Sequence, residues 1–244
     1  MSVGATIEAR MSSSRLPGKP LFEAAGRSML EHLVSRLAAV PSIDNIVLAT
    51  TSNPADDPLA AIAESLKIAV FRGSEHNVLS RVIGAASSIQ ADVLVEITGD
   101  CPIIDPDIVE QTIQMFMAHE VDYVSNCHVR SFPDGMDVQV MRLDTLKRSA
   151  AMTNDALDLE HVTLHIRNNP QLFSRVNLVA PPNLWWPDLG LTLDERSDYE
   201  LISTVIDYFE PKNRMFSCLD AINYLKENPC LLDLNKDILR KGDS

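Results

Sequence analysis

The 244-residue sequence has few cysteines, a deficit of basic residues and no long apolar run. Its four cysteines, at positions 101, 127, 218 and 230, lie too far apart for a zinc site, so reduced thiols are expected. The 21 Lys and Arg residues against 34 Asp and Glu give a net charge of −13, which opposes binding to nucleic acid or anionic membranes. No apolar run approaches the roughly 18 residues of a membrane span, and the first residues lack a signal-peptide pattern. We therefore expect a cytoplasmic protein that binds neither nucleic acid nor membranes.

Three common motifs are also absent. The lack of Gly-x-x-x-x-Gly-Lys-Ser/Thr excludes a P-loop NTPase. No Gly-x-Gly-x-x-Gly follows the first apolar run, which argues against a nicotinamide enzyme, and the lack of Gly-x-Ser-x-Gly argues against a serine hydrolase.

Short apolar runs alternate with amphipathic segments over the first half of the chain. The predicted strands cover residues 3–7, 45–49, 69–71, 93–98 and 123–125, and the predicted helices cover 28–39, 57–66, 78–89 and 106–118. This alternation predicts an α/β fold whose mostly parallel sheet carries helices on both faces. Ligands of such open sheets bind beyond the carboxyl ends of the strands.

The pattern changes after residue 125. Further strands are predicted over 137–141, 174–178 and 191–193, and further helices over 143–150, 160–167, 197–209 and 220–227. We interpret the chain as a single domain, residues 1–244, with an antiparallel element inserted at roughly 126–190. Because inserted arms of this kind often mediate dimers, a homodimer is expected.

A basic loop follows the first predicted strand. Arg10, Arg15 and Lys19 lie among three serines and a Pro-Gly turn. The guanidinium fork and small side chains suit the oxygens of a polyphosphate. A solvated surface loop is the alternative interpretation.

Two acidic residues stand at the ends of predicted strands. Asp100 follows the strand over 93–98 directly, and Asp194 follows the strand over 191–193. Two carboxylates suit Mg²⁺, which commonly takes one or two of them together with phosphate oxygens and water. Both residues being turn or helix-capping residues is the alternative.

Further polar residues lie near these strand ends. Asp134 and Asp137 have the spacing to bind sugar hydroxyls or to form an Asx turn. Glu160 and His161 open a predicted helix, where they serve as ligands or as structural residues. A polar loop over 72–81 leads into another helix, whose N-terminus would point donors at a ligand.

Several segments occur in a characteristic order over roughly residues 3–235. They are Ala9-Arg10-Met11 with Ser14-Arg15-Leu16-Pro17-Gly18-Lys19, Val70-Phe71-Arg72-Gly73-Ser74-Glu75, Ile97-Thr98-Gly99-Asp100-Cys101-Pro102, Pro133-Asp134-Gly135-Met136-Asp137, Glu160-His161-Val162-Thr163 and Leu193-Asp194. In this order they resemble the cytidylyltransferases of the spore-coat polysaccharide biosynthesis protein F type, within the CMP-sugar synthetases. The resemblance implies a Rossmann-like, GT-A-like nucleotidyltransferase fold and a homodimer. It also implies Mg²⁺-dependent transfer of CMP from CTP to an acidic sugar with release of pyrophosphate.

The same resemblance implies roles for individual residues. Catalysis would rest on Arg15, Lys19 and Asp100, and the metal on Asp100 and Asp194. The implied nucleotide-binding residues are Ala9, Arg10, Ser12, Ser14, Arg15, Lys19, Arg72, Ser74, Asn77 and Asp100. The implied acceptor-binding residues are Tyr123, Asn126, Asp134, Asp137, Glu160 and His161.

Four positions depart from the pattern of the resembled family. Glu8 stands where Gln is usual, Ser12 where Gly is usual, Asn77 where Asp is common and Glu96 where Arg is common. These departures leave the base and the acceptor open, including another nucleotide or a phosphorylated or non-sugar acceptor. A metal-dependent glycosyltransferase usually carries Asp-x-Asp where this chain has Gly99-Asp100-Cys101. A non-catalytic nucleotide-binding protein is the third alternative.

Overall fold

The alternating apolar and amphipathic segments fold around one central sheet. A computed structural model describes residues 1–238. The strands of this part are β1 (Val3–Glu8), β2 (Glu23–Ala24), β3 (Arg27–Ser28), β4 (Asn45–Thr51), β5 (Ala69–Gly73), β6 (Val93–Thr98), β7 (Tyr123–Ser125), β8 (Gln139–Arg142) and β9 (Arg175–Asn177). Its α-helices are α1 (Met29–Leu37), α2 (Asp57–Ser65), α3 (Val78–Ser88), α4 (Pro106–Ala118), α5 (Leu143–Ala150), α6 (Ala156–Glu160), α7 (Leu164–Asn168), α8 (Arg196–Phe209) and α9 (Cys218–Glu227).

The central sheet has the strand order β5-β4-β1-β6-β8-β7-β9. β1 lies between β4 and β6 and is parallel to both. β8 runs antiparallel to its neighbours β6 and β7, whereas β9 returns parallel to β7. The small hairpin β2-β3 stands apart from this sheet. The predicted mostly parallel α/β fold is therefore confirmed, and β8 is the antiparallel strand of the predicted insert.

Apolar layers cover both faces of the sheet because successive strand residues point to opposite sides. Val3, Ala5 and Ile7 of β1 pack into the larger apolar cluster, which includes buried side chains of α1, α4, α8 and α9. Leu94 and Met141 belong to a second cluster that includes side chains of α3 and α5. Within residues 1–238 no helix is long and apolar enough to span a membrane.

Two sequence predictions are wrong. The helix predicted over 160–167 is instead α6 and α7 with a turn between them, in which Val162 has a φ of 38°. The Thr163 hydroxyl donates a hydrogen bond to Gln139 Oε1 (2.5 Å), and the Val162 side chain is buried. Together these interactions stabilise the turn and prevent one continuous helix. The segment 191–193 is not a strand, because its backbone bonds to two different loops rather than to one neighbouring strand. Leu191 N donates to Asp134 O (2.7 Å) and Leu193 N donates to Asp100 O (2.8 Å).

Candidate functional site

Four charged side chains meet beyond the carboxyl ends of β1 and β6. Lys19 Nζ lies 3.0 Å from Asp100 Oδ2 and 3.2 Å from Asp194 Oδ1, and it also donates to Leu193 O at 2.6 Å. Arg15 lies 2.7 Å from the same Asp194 carboxylate. The Lys19 side chain is 13% exposed, so these ion pairs are largely shielded from solvent. The structure thus brings together two of the three residues predicted to bind phosphate and the two predicted to bind metal, whereas Arg10 pairs with Glu75 at 3.5 Å.

The charges of this cluster depend on one another. Burial disfavours the charged form of Lys19, but the Asp100 and Asp194 carboxylates outweigh it and raise the pKa of the ammonium. Burial likewise acts to raise the pKa of Asp100, but Lys19 and a hydrogen bond from Thr98 hold it below its ordinary value. Lys19 is therefore held as the ammonium and Asp100 as the carboxylate, and each stabilises the charge of the other.

Close backbone contacts set the position of Asp100. Gly99 N donates to Glu8 O at 2.8 Å, which joins the ends of β6 and β1. A Cβ at position 99 would lie 2.5 Å from Glu8 O, so a glycine is required for this approach. The basic loop turns back at Gly18, whose φ is 76°, and this turn carries Lys19 to the same place. The Gly residues of both motifs therefore serve to bring Lys19 and Asp100 together.

A cleft opens between the basic loop, α3 and the turn after α6. Of the predicted site residues it is lined by Ala9, Arg10, Ser14, Arg15, Lys19, Asp100, Glu160, His161 and Asp194. The additional lining residues include Glu8, Ser13, Pro20, Val78, Arg81, Thr98 and Gly99. Arg81 follows Val78 by three positions on α3, and that helical spacing is the signal that would have placed both on the wall of the cleft.

Four predicted nucleotide-binding residues lie outside the described lining of this cleft. Arg72 donates to Thr51 O (2.9 Å) and Asn53 O (2.7 Å) and pairs with Asp57 (2.6 Å). Ser12 bonds to Glu75, whereas Ser74 and Asn77 are engaged at the start of α3. Their roles in nucleotide binding stay predictions, and in this structure each supports a loop beside the cleft.

Four predicted acceptor-binding residues also lie beside the cleft rather than on its described wall. Tyr123 is buried and its hydroxyl donates to Gln139 Oε1 at 2.5 Å. The Asn126 side chain accepts from Val138 N (2.8 Å) and donates to Met136 O (2.6 Å), which ties the end of β7 to the segment before β8. Asp134 lies 3.6 Å from Arg130. Their roles in acceptor binding also stay predictions.

Asp137, next to this segment, is expected to make stability depend on pH. Burial and then the Asp134 charge raise its pKa from an ordinary 3.8 to about 7. As pH rises, the unfolded chain therefore loses this proton at a lower pH than the folded protein does. The free energy of unfolding consequently falls as pH rises from about 4 to about 7. The full shift is worth about 4 kcal/mol, of which solvent at this partly exposed residue screens a share.

We accordingly expect Asp137→Asn to be about 2 kcal/mol more stable than the wild type above about pH 7. Urea unfolding across this pH range measures the difference, which should shrink steadily towards about pH 5. Asp144→Asn, on an exposed carboxylate of α5, is the matched control. A stability difference that is the same at every pH would contradict the raised pKa.

The donor set at the ends of β1 and β6 fits a magnesium ion. Asp100 and Asp194 both approach the one Lys19 ammonium, so both carboxylates already face a positive charge. Among residues 1–238 no group of three or more His, Cys, Asp or Glu is placed to hold a metal. Mg²⁺ commonly uses one or two carboxylates and takes its other ligands from water and substrate phosphates.

Comparisons with known proteins agree with this geometry. A family model described as cytidylyltransferase matches residues 5–219. The spore coat polysaccharide biosynthesis protein SpsF of Bacillus subtilis is 33% identical over 230 residues, covering 91% of this chain and 93% of that protein. A 3-deoxy-manno-octulosonate cytidylyltransferase of Syntrophotalea carbinolica is 31% identical over 113 residues, which is 46% of this chain and 44% of that protein. The solved structure of a cytidylyltransferase from Leptospira borgpetersenii superposes with a TM-score of 0.91 at 30% identity, covering 98% of this chain and 100% of that one.

Proposed function

This chain belongs to the cytidylyltransferase family, and we propose that it transfers CMP from CTP to an acidic sugar, a nonulosonic or related 2-keto acid, and releases pyrophosphate. The observation that carries the proposal is the meeting of Arg15 and Lys19 with Asp100 and Asp194 at the carboxyl ends of the sheet. The name of the Bacillus subtilis relative supports a role in polysaccharide synthesis, and that of the Syntrophotalea carbinolica relative supports a 2-keto acid sugar as the acceptor.

The proposed reaction is a direct in-line displacement. A hydroxyl oxygen of the sugar forms a bond to the α-phosphorus of CTP, the bond between that phosphorus and the bridging oxygen breaks, and the hydroxyl proton passes to water. Arg15 and Lys19 would bind the leaving pyrophosphate and offset its charge. Asp100 and Asp194 would hold Mg²⁺, which when bound supplies charge neutralisation at the phosphates. No covalent bond to the protein is required, so these residues act by positioning and by charge.

The test is Mg²⁺-dependent release of pyrophosphate with CTP, UTP, GTP and ATP against a panel of nonulosonic and octulosonic acids. We expect release with CTP and at least one 2-keto acid sugar. Release with another nucleotide alone would contradict the base assignment. Formation of a nucleoside diphosphate in place of pyrophosphate would show transfer or hydrolysis of the γ-phosphoryl group and contradict the proposed reaction.

We also propose that the chain forms a homodimer through its insert. Val129, Val179 and Trp185 are exposed, and the Trp185 side chain is 53% exposed. Hydrogen bonds place these segments side by side, since Val129 N donates to the side-chain Oδ1 of Asn177 (3.0 Å) and Trp186 N donates to Ser131 O (3.1 Å). Exposed apolar side chains grouped in this way are typical of protein interfaces. Light scattering should give twice the chain mass for the wild type and one chain mass for Trp185→Glu, and a monomeric wild type would contradict the proposal.

A further inference from the structure

A row of polar side chains crosses the sheet just below the cleft. The strand register pairs Thr6 with Glu96, Glu96 with Gln139, and Gln139 with Ser125. Paired residues share one face of a sheet, so these side chains lie next to one another across β1, β6, β8 and β7. The neighbouring row on the same face includes the apolar Leu94 and Met141. The polar row therefore marks the level at which apolar packing ends and the floor of the cleft begins.

Two carboxyl groups meet at this level. Glu8, two residues beyond Thr6 on the same face, lines the cleft, and its carboxyl is in hydrogen-bond contact with that of Glu96. Glu96 is 3% exposed and accepts a hydrogen bond from Gln139 Nε2, and the Arg167 charge also acts on its carboxyl group. None of the described residues donates a hydrogen bond to the buried Glu8 Oε1. Burial and this mutual contact raise the pKa of Glu8, because two buried carboxylates in contact repel unless they share a proton.

The orientation of the Gln139 amide makes its nitrogen a hydrogen-bond donor to the Glu96 carboxyl group. Gln139 Oε1 accepts from the Tyr123 hydroxyl (2.5 Å) and from the Thr163 hydroxyl (2.5 Å). Its amide nitrogen is thereby turned towards Glu96. Through Thr163 the same contacts hold the turn that carries Glu160 and His161 on the wall of the cleft. The carboxyl pair is thus fixed in place by the surrounding structure.

Other polar atoms at this floor also lack partners. Arg81 is 3% exposed and lines the cleft beside Glu8. Its Nη1 donates to Ser74 O (2.5 Å) and Glu75 O (3.4 Å), whereas its Nε has no acceptor among the described residues. The Thr6 hydroxyl is fully buried and likewise has no partner in that part of the chain. Because buried polar groups are normally satisfied, Glu8 Oε1 and Arg81 Nε, which belong to residues that line the cleft, indicate a polar group of a ligand there.

An amino group matches this arrangement better than a hydroxyl. Glu8 Oε1 is a buried acceptor with no donor among the described residues, whereas Glu96 already accepts from Gln139 Nε2. An amino nitrogen donates two or three hydrogens, whereas a hydroxyl donates one and brings two lone pairs of its own towards the carboxylates. A carboxylate of the ligand would be repelled here by the carboxyl groups of Glu8 and Glu96.

We propose that Glu8, backed by Glu96, binds an amino group of one of the two substrates and thereby determines which substrate the cleft accepts. The proposal rests on the proposed nucleotidyl transfer for the identity of those substrates. The amino group has two possible sources: the exocyclic amine of the base, which CTP carries and UTP lacks, or an amino substituent on the acceptor sugar. In either case Glu8 is a specificity-determining residue that the basic and acidic motifs do not include.

The test is Glu8→Gln, which keeps the shape of the side chain and replaces an acceptor oxygen with an N–H donor. Glu64→Gln, on an exposed carboxylate of α2, makes the same change of charge away from the cleft and is the control. Calorimetry with Mg²⁺ measures the dissociation constants of CTP and UTP. It also measures those of 3-deoxy-manno-octulosonate and its 8-amino-3,8-dideoxy analogue. Thermal unfolding of both variants confirms that they fold.

We expect the wild type to prefer the amino-bearing member of at least one pair, and Glu8→Gln to reduce that preference by about tenfold or more. A reduced preference for CTP over UTP assigns the amine to the base, and a reduced preference for the amino sugar assigns it to the acceptor. If Glu8→Gln reduces neither preference, the proposal is wrong. Since these are binding measurements, a preference lost without any pyrophosphate release from the wild type would overturn the proposed reaction and leave the Glu8 site standing.

Discussion

Asp100→Asn is expected to lower kcat for pyrophosphate release by about a hundredfold or more. The change keeps the size of the side chain but removes the charge that faces Lys19 at 3.0 Å. An amide is a poor ligand for Mg²⁺ beside a single remaining carboxylate, that of Asp194. Since the proposed role of Asp100 is exerted on the reacting phosphates, we expect kcat to fall more than KM for CTP rises.

Steady-state pyrophosphate release at saturating CTP measures this effect. Asp144→Asn, whose carboxylate lies exposed on α5, is the control and should retain wild-type kcat. The melting temperature of Asp100→Asn shows whether the protein is folded at the assay temperature. A folded Asp100→Asn that keeps most of its wild-type kcat would show that Asp100 holds no metal in the reaction.

Lys19→Met is expected to abolish most activity and also to destabilise the protein. The ammonium lies against two carboxylates and a carbonyl in a largely buried position, and its removal leaves Asp100 and Asp194 without their shared cation. Breaking a buried ion pair by deleting one partner costs about 3 kcal/mol of unfolding free energy. The loss of a phosphate-binding charge should reduce kcat/KM by about a hundredfold or more.

Magnesium should distinguish this variant from the wild type without any substrate. In Lys19→Met, Asp100 loses its cation and Asp194 keeps only Arg15. These carboxylates therefore gain more from a divalent cation than those of the wild type, so added Mg²⁺ should raise the melting temperature of the variant by more. Lys147→Met, an exposed residue of α5, controls for the loss of one positive charge. Equal shifts in melting temperature for Lys19→Met and the wild type would contradict Asp100 and Asp194 as a cation site.

Much of the fold could be predicted from the sequence because its central elements are locally unambiguous. The largely apolar run of β6 and the Asp-Pro start of α4 predict those elements residue for residue, with Asp105 accepting from Asp107 N as the helix cap. The broken helix between α6 and α7 was missed. Val162 has apolar spacing suited to a helix, and the Thr163–Gln139 contact that helps form the turn joins residues 24 positions apart.

In the candidate site, too, local features could be predicted from the sequence, whereas contacts between distant residues could not. The carboxyl-end rule for open sheets correctly brings Asp100 together with Lys19, although 81 positions separate them. Sequence alone did not show that these charges pair with each other, nor that Arg72 is already bound to the loop over 51–57. The Glu8–Glu96 contact was missed for a similar reason, since it depends on the register of β1 against β6. Local residue types therefore predict which groups are present, and the strand register decides which of them meet.

The central claim is the transfer of CMP to an acidic sugar, and ³¹P NMR of a single reaction mixture tests it most directly. The mixture contains the wild-type protein, CTP, Mg²⁺ and the 2-keto acid sugar that gives release in the pyrophosphate assay. We expect the three CTP signals to be replaced by one phosphodiester signal of a CMP-sugar and one pyrophosphate signal, with one pyrophosphate molecule formed for each CMP-sugar. Signals of CDP with inorganic phosphate, or pyrophosphate with free CMP and no phosphodiester, would contradict the account.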